Sequence, residues 1–467
     1  MSLSPSRLFS KSSTGFRCRH FVGLFACLLS YAHPVSAQTL IQRDPEIEKM
    51  VSEVNTDSLH SYIHTLVGFG TRHTLSDTKD PRRGIGAARN WILSRFREFA
   101  AQSNGRMHAE LDQWTLPADG KRVDKPTDVA NVVGILQGED TADKRIFLIS
   151  GHMDTRVTDA LNRVSDAPGA NDDGSGTAAV IECARIMSRH SFPATIIFVT
   201  VCGEEQGLLG SDHLAEKMKT GNWQLEAMLN NDIIGSTRSN ETNLSDNTKV
   251  RVFSEGLPAP DIEKKASYIR QYGLENDGSC RQLARYVKET GERYVDQLQV
   301  VMVYRNDRFL RGGDHTPFVL RGFTAVRITE MNENYYHQHQ DVRVEKGIQY
   351  GDLPEFIDFE YLRKNTAMNL SCLANLAKAP ARPSNVMIDV SGLSNGTSLS
   401  WKAPPTGKAA GYYVLLRETT EARWQKKIFT TQTEIHIPYS KDNFFFAVQS
   451  VSGSGNESLP VVPLPGK

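Results

Sequence analysis

The sequence predicts an α/β fold, a mainly parallel central sheet with helices on both faces, followed by a small all-β sandwich. Three observations carry this. Short β-branched apolar runs each end in a polar cluster, helical stretches separate them, and beyond a Pro-rich junction the pattern changes to closely spaced short strands. The chain has 467 residues with 39% apolar and 23% charged side chains, an ordinary globular composition long enough for two or three domains. Lys+Arg and Asp+Glu balance at 54 each, and no arginine-rich segment breaks the balance, so nucleic acid is excluded as a partner.

Residues 1–37 carry Arg7, Lys11, Arg17 and Arg19 without an acid, then an apolar run from Phe21 to Leu29 and the small-residue site Val35-Ser36-Ala37. This is the pattern of a secretory signal peptide, and the run is too short to span a bilayer. Cleavage after Ala37 is expected, leaving a mildly acidic, exported protein, periplasmic or secreted. No other stretch reads as a membrane span. Cys183, Cys202, Cys280 and Cys372 remain, too few and too dispersed for a disulfide scaffold or a thiolate zinc site.

The first domain is expected over residues 38–378. A helix from Ala87 to Phe99 places Ile92, Phe96 and Phe99 on one side. Strands are expected at Val129 to Leu136, Ile146 to Ser150, Thr195 to Cys202, Ala227 to Asn231 and Thr324 to Thr329. After Gly174-Ser175-Gly176 a second helix aligns Val180, Cys183, Ala184 and Met187, with Glu182, Arg185 and Arg189 on the opposite face. Between Asp232 and His337 strand signals are few and a helix is expected near Cys280 to Val300, so this stretch reads as an elaboration over one end of the sheet. The junction Lys378 to Pro383 marks a domain boundary. Residues 379–467 then carry strands at Val386 to Val390, Thr397 to Trp401, Gly411 to Arg417, Glu434 to Ile437 and Phe444 to Val451, the spacing of a β-sandwich. With Trp401, Tyr413 and Asn456-Glu457-Ser458, this part resembles a fibronectin type III domain, a candidate for surface or polysaccharide contact.

Five polar clusters follow expected strand ends: Gly151-His152-Met153-Asp154, Gly169 to Gly176, Gly203-Glu204-Glu205, Asn231-Asp232 and Tyr335 to Asp341. In an open parallel sheet the carboxyl ends of strands share one crevice, so these residues can converge. Histidines with carboxylates and no thiolate are the donor set of a hydrolytic zinc site. One catalytic zinc uses three protein ligands and a water; two histidines and at least three carboxylates suffice for two ions if one carboxylate bridges. Glu204 and Glu205 then divide, one ligating and one acting as general base. Asp154 is placed to accept the second N–H of His152.

These motifs resemble the co-catalytic zinc peptidases of metallopeptidase family 28, the group of bacterial leucyl aminopeptidase and aminopeptidase Y, over roughly His60 to Leu376. Phe69 to His73 and Gly313 to Phe318 belong to the resemblance. It implies a zinc exopeptidase fold and two Zn2+ ions. His152 and Asp232 would hold one, Glu205 and His337 the other, and Asp172 would bridge. Glu204 falls on the general base, Tyr336 on a tyrosine that helps hold the oxyanion, and Asp154 behind His152. A cis peptide at Asp172-Asp173 is implied as well. Asp341, four residues after His337, would support that ligand; the same step favours His337 over His339. Asp173 also reads as a helix cap.

The expected activity is that of an exported aminopeptidase acting on peptides with a free N-terminus. A carboxypeptidase or amidohydrolase on the same scaffold is the alternative within enzymes, and a non-catalytic adhesion protein the alternative outside them. The basic run Arg305 to Arg311 reads either as a contact for a substrate carboxylate or carbonyl or as a solvated loop.

Overall fold

The computed structural model describes residues 42–257 and 259–466; the expected signal peptide at 1–37 lies outside them. The central sheet has eight strands: β1 (Met107–Leu116), β2 (Thr127–Leu136), β3 (Arg145–His152), β4 (Thr195–Val201), β5 (Gln224–Asn231), β6 (Lys249–Phe253), β7 (Gln299–Val303) and β8 (Ala325–Glu330), in the order β1-β2-β4-β3-β5-β8-β6-β7. The four central strands β4, β3, β5 and β8 run parallel. β1 and β2 run antiparallel to each other and β2 to β4, and β6, parallel to β7, runs against β8, so the sheet is mixed at both edges.

The parallel strands are apolar nearly throughout because helices cover both faces. The helices are α1 (Pro45–Ser52), α2 (Thr56–Gly68), α3 (Gly84–Ala101), α4 (Gly174–Met187), α5 (Leu209–Thr220), α6 (Ala259–Tyr272), α7 (Ser279–Tyr294), α8 (Thr316–Leu320) and α9 (Phe359–Lys378). One core joins α1 to α4, α7 and α9 with one sheet face, and a second joins α5 and α8 with the other. α4 is buried on almost every side: even Glu182 is fully buried, ion-paired to Arg185 and accepting the Asn55 N–H. The polar face expected there is therefore covered by α2. The stretch between Asp232 and His337 is likewise more than an elaboration, since β6 and β7 complete the sheet edge and α7 packs on α9.

After α9 come two further sheets, β15-β12-β11-β17 and β14-β13-β16, with β11 (Ser384–Asp389), β12 (Thr397–Lys402), β13 (Gly411–Glu418), β14 (Lys426–Thr430), β15 (Glu434–Ile437), β16 (Phe444–Val451) and β17 (Leu464–Gly466). Trp401 packs edge-on to Tyr412 between them. A short hairpin, β9 (Arg343–Glu345) and β10 (Ile348–Tyr350), precedes α9. The described residues form one compact unit. The Pro-rich junction is held rather than free: Ala379 is 1% exposed, and Arg145 donates to the carbonyls of Ala379 and Pro380.

Candidate metal centre

Because β4, β3, β5 and β8 are adjacent and parallel, their carboxyl ends open on one side, and the polar clusters meet there. His152 is the last residue of β3, 1% exposed. Its Nδ1 faces the Asp154 carbonyl at 3.1 Å, with the Asp154 carboxylate at 3.6 Å, which leaves Nε2 directed at Asp172 Oδ1 (3.2 Å) and Asp232 Oδ1 (3.9 Å). The Asp154 carboxylate meanwhile accepts the backbone N–H groups of Glu204 and Glu205 and the Thr74 hydroxyl, so it shapes the turn that carries the glutamate pair.

Asp172 precedes α4. Its backbone N–H and that of Asn171 both donate to the Asp352 carboxylate, and a cis peptide joins it to Asp173. Asp173 caps α4 through Gly176 N–H and also accepts the N–H groups of His152 and Ile233, which ties β3, α4 and the end of β5 together. Such proximity requires glycine: a Cβ on Gly176 would lie 2.4 Å from a carboxylate oxygen of Asp173 and 2.7 Å from the Asn231 carbonyl, and one on Gly151 2.6 Å from the backbone of Gly176.

The second histidine differs from the expected one. His339, not His337, enters the cluster: its Nε2 lies 3.0 Å from Asp172 Oδ2 and 3.0 Å from Glu205 Oε1. The segment after β8 is a succession of turns rather than a helix, so the four-residue step from His337 to Asp341 brings nothing together. His337 turns away and stacks on Phe356 at 3.6 Å, where burial lowers its pKa to about 4. His339 adopts φ +52°, a left-handed conformation that turns its ring inward. Its pKa is lowered by burial but raised more by Glu205 and Asp172, to about 10. Asp341 supports neither histidine; its carbonyl accepts from Arg343. Tyr336 packs against Tyr350 and is absent from the described residues lining the cavity over the carboxylates.

The donor atoms fall into two groups, His152, Glu204 and Asp232 in one and Asp172, Glu205 and His339 in the other, each within 4.8 Å. Asp172 faces both, one oxygen toward each histidine. Glu205 Oε1 is buried without an aligned hydrogen bond, as expected of an oxygen shaped to face a cation. Burial raises the Glu204 carboxyl well above its usual range, partly opposed by His152 and reinforced by Asp232 and Glu205. Imidazole and carboxylate donors so arranged fit zinc.

Several arginines were not foreseen. Arg327, fully buried on β8, binds Asp232 Oδ2 at 2.9 Å and Asp307 at 2.8 Å, leaving Asp232 Oδ1 for the site. Arg156 pairs with Glu205 Oε2 (3.2 Å) and approaches His339 Nδ1 (2.9 Å). Arg72 donates to the carbonyls of Met153, Leu66, Pro168 and Gly169, clamping the loops beneath Asp154 and Asp172. A cavity of about 290 Å3 opens above, lined by Asp172, Glu204, Glu205, Asp232 and His339 with arginines at its mouth.

Comparison with known proteins agrees with this chemistry. Residues 131–353 match peptidase family M28. The probable zinc metalloprotease of Leptosphaeria maculans is 42% identical over 424 residues, covering 91% of this chain and 98% of that protein. One from Pyrenophora tritici-repentis is 42% identical over 426 residues, 91% of this chain and 88% of its own length. Among solved structures the LapA aminopeptidase of Legionella pneumophila superposes with a TM-score of 0.51 at 19% identity, covering 73% of this chain and 77% of that one, a likeness of fold.

Proposed function

The chain belongs to peptidase family M28 and is a zinc-dependent peptide hydrolase, and from that premise we propose that it is an exported two-zinc aminopeptidase. The observation that carries the reading is Asp172, whose two oxygens face two histidine groups at 3.2 and 3.0 Å, the placement of a bridging ligand. His152 and Asp232 would hold one zinc, Glu205 and His339 the other. Zinc bound there supplies a water of lowered pKa and polarises the substrate carbonyl.

The chain's own residues do the rest. Glu204 takes a proton from the attacking water as its oxygen adds to the first peptide carbonyl, and returns it to the leaving amine as the C–N bond breaks. Arg327 and the Asp154 carbonyl hold Asp232 and His152 in orientation. The carboxylate-lined floor suits a substrate ammonium group. The basic, apolar and small-residue pattern of residues 1–37 supports export.

Chelation abolishes hydrolysis of a free-amine dipeptide and zinc restores it; full activity in metal-free protein would contradict the reading. The N-acetylated dipeptide resists hydrolysis if the enzyme is an aminopeptidase. Preference for the acetylated form would instead indicate a carboxypeptidase or amidohydrolase.

A further inference from the structure

Arginines surround the mouth of the catalytic cavity, and two of their guanidiniums have no carboxylate partner among the described residues. The cavity of about 290 Å3 includes Arg122, Arg156, Arg308 and Arg311. Arg156 is engaged by Glu205, and Arg308 by Glu333 and Asp307. The Arg122 guanidinium donates to the Glu205 carbonyl, through Nη1 at 3.1 Å, while its backbone N–H donates to Asp119, and Arg311 donates its backbone N–H to the Arg308 carbonyl with its exposed guanidinium unpaired. A second cavity of about 530 Å3 begins where the first ends, sharing Arg308 and Arg311 and continuing past Phe309 and Tyr335. Phe309 is 78% exposed, with Arg305 stacked over its ring at 3.9 Å. The two cavities adjoin at Arg308 and Arg311 and together make a groove leading away from the carboxylate floor.

We propose that this groove selects peptides with a carboxylate on the leaving side, within one or two residues of the cleaved bond, bound by Arg311 with Arg122. The inference rests on the peptidase reading above. Asp232 and Glu205 are already matched to Arg327 and Arg156, and zinc at the floor would offset the remaining negative charge, so the unpaired guanidiniums set the sign of the groove. A guanidinium binds a carboxylate through paired N–H donors, a geometry that an uncharged amide cannot match. The same chemistry is offered by an acidic side chain or by the terminal carboxylate of a short peptide. The run Arg305 to Arg311 thereby becomes a substrate contact rather than a solvated loop.

Two substrate pairs test this on the zinc-loaded protein: Leu-Gly-Gly against its C-terminal amide for the terminal source, and Leu-Glu-amide against Leu-Gln-amide for the side-chain source. At least one pair shows kcat/KM about five- to tenfold higher for the charged member, mainly through KM, a ratio typical of one charge-assisted contact. R311Q collapses that ratio toward one, R311K keeps part of it, and R97Q, on the far helix α3, leaves it where the wild type has it. Binding of the same pairs to the E204Q protein, read by calorimetry, shows the same preference without turnover. Equal kcat/KM within both pairs, or a ratio indifferent to R311Q, overturns the proposal while leaving the peptidase reading intact. A binding preference for the charged member with no hydrolysis of any free-amine peptide overturns the aminopeptidase reading and leaves this one.

Discussion

His339 and His337 make the sharpest residue-scale contrast, because two positions apart in a turn they face opposite ways. His339→Ala removes a group 3.0 Å from both Asp172 and Glu205 and lowers kcat/KM on a leucyl dipeptide at least a hundredfold. His337→Ala, losing a stack on Phe356, stays within a few-fold. Glu204→Gln lowers kcat by on the order of 10^2–10^4 with zinc content retained, the range for loss of a general base; loss of zinc alongside activity would make Glu204 a ligand instead. His152, Asp172, Glu205 and Asp232 were legible in the sequence because each lies at or shortly past a strand end or just before a glycine-opened helix. His339 was not, since nothing in the spacing of Tyr335 to Asp341 says whether the segment is a helix or a run of turns. Arg327 left one trace, a charge in the middle of the otherwise apolar Ala325 to Ile328, but a lone strand arginine does not name the carboxylates it will meet.

The metal centre is built by elements meeting end to end. The tip of β3 and the first turn of α4 touch through Gly151 and Gly176, with Asp173 bonded to both sides. Gly176→Ala forces a methyl group into the Asp173 carboxylate and the Asn231 carbonyl, so it costs about 1–3 kcal/mol of stability, the range for overpacking, and weakens zinc binding because Asp172 and His152 move apart. Thermal unfolding of the metal-free protein and zinc titration read the two effects separately; unchanged values for both would contradict the close approach. The parallel centre of the sheet was readable from apolar runs. The edges were less so: β6 and β7 are only five residues each, β6 broken by Lys249 and Arg251 and β7 opening on Gln299, and β14 and β17 are short or polar.

Over the whole molecule, the C-terminal sheets belong to the same compact unit as the peptidase fold. Glu457, 4% exposed, pairs with Arg293 of α7 and with Lys427, and Lys427 also meets Glu289. Asn456 donates to Asp44 at the start of α1, and Arg417 and Arg285 share Asp277. A chain ending at Lys378 would take Glu457 from Arg293, Arg417 from Asp277 and Asn456 from Asp44, exposing groups the C-terminal sheets cover, and is expected to be insoluble or strongly destabilised, with unfolding monitored by circular dichroism. Burial pushes the Glu457 carboxyl up, but Lys427 and Arg293 outweigh it and hold its pKa below 4.5. A depressed folded pKa gives stability that is present above the unfolded value and lost as pH falls through the folded one. Glu457→Gln therefore lowers Tm at pH 7 by the equivalent of about 3–5 kcal/mol, the cost of breaking a buried pair, and the gap from wild type narrows below pH 4.5. A gap independent of pH would mean that the pair is not the cause. The sequence marked a boundary at 379–383 but could not show that the junction is buried, because its Pro and Ala residues suit a solvated linker and a packed turn equally.

Zinc stoichiometry tests the central claim most directly, two metals sharing Asp172 with His339 on one side and His152 on the other. Elemental analysis of protein dialysed against limiting zinc is predicted to give two ions per chain for the wild type and for His337→Ala, and one for His339→Ala. A single ion per chain in the wild type, or loss of an ion on replacing His337 but not His339, would contradict it.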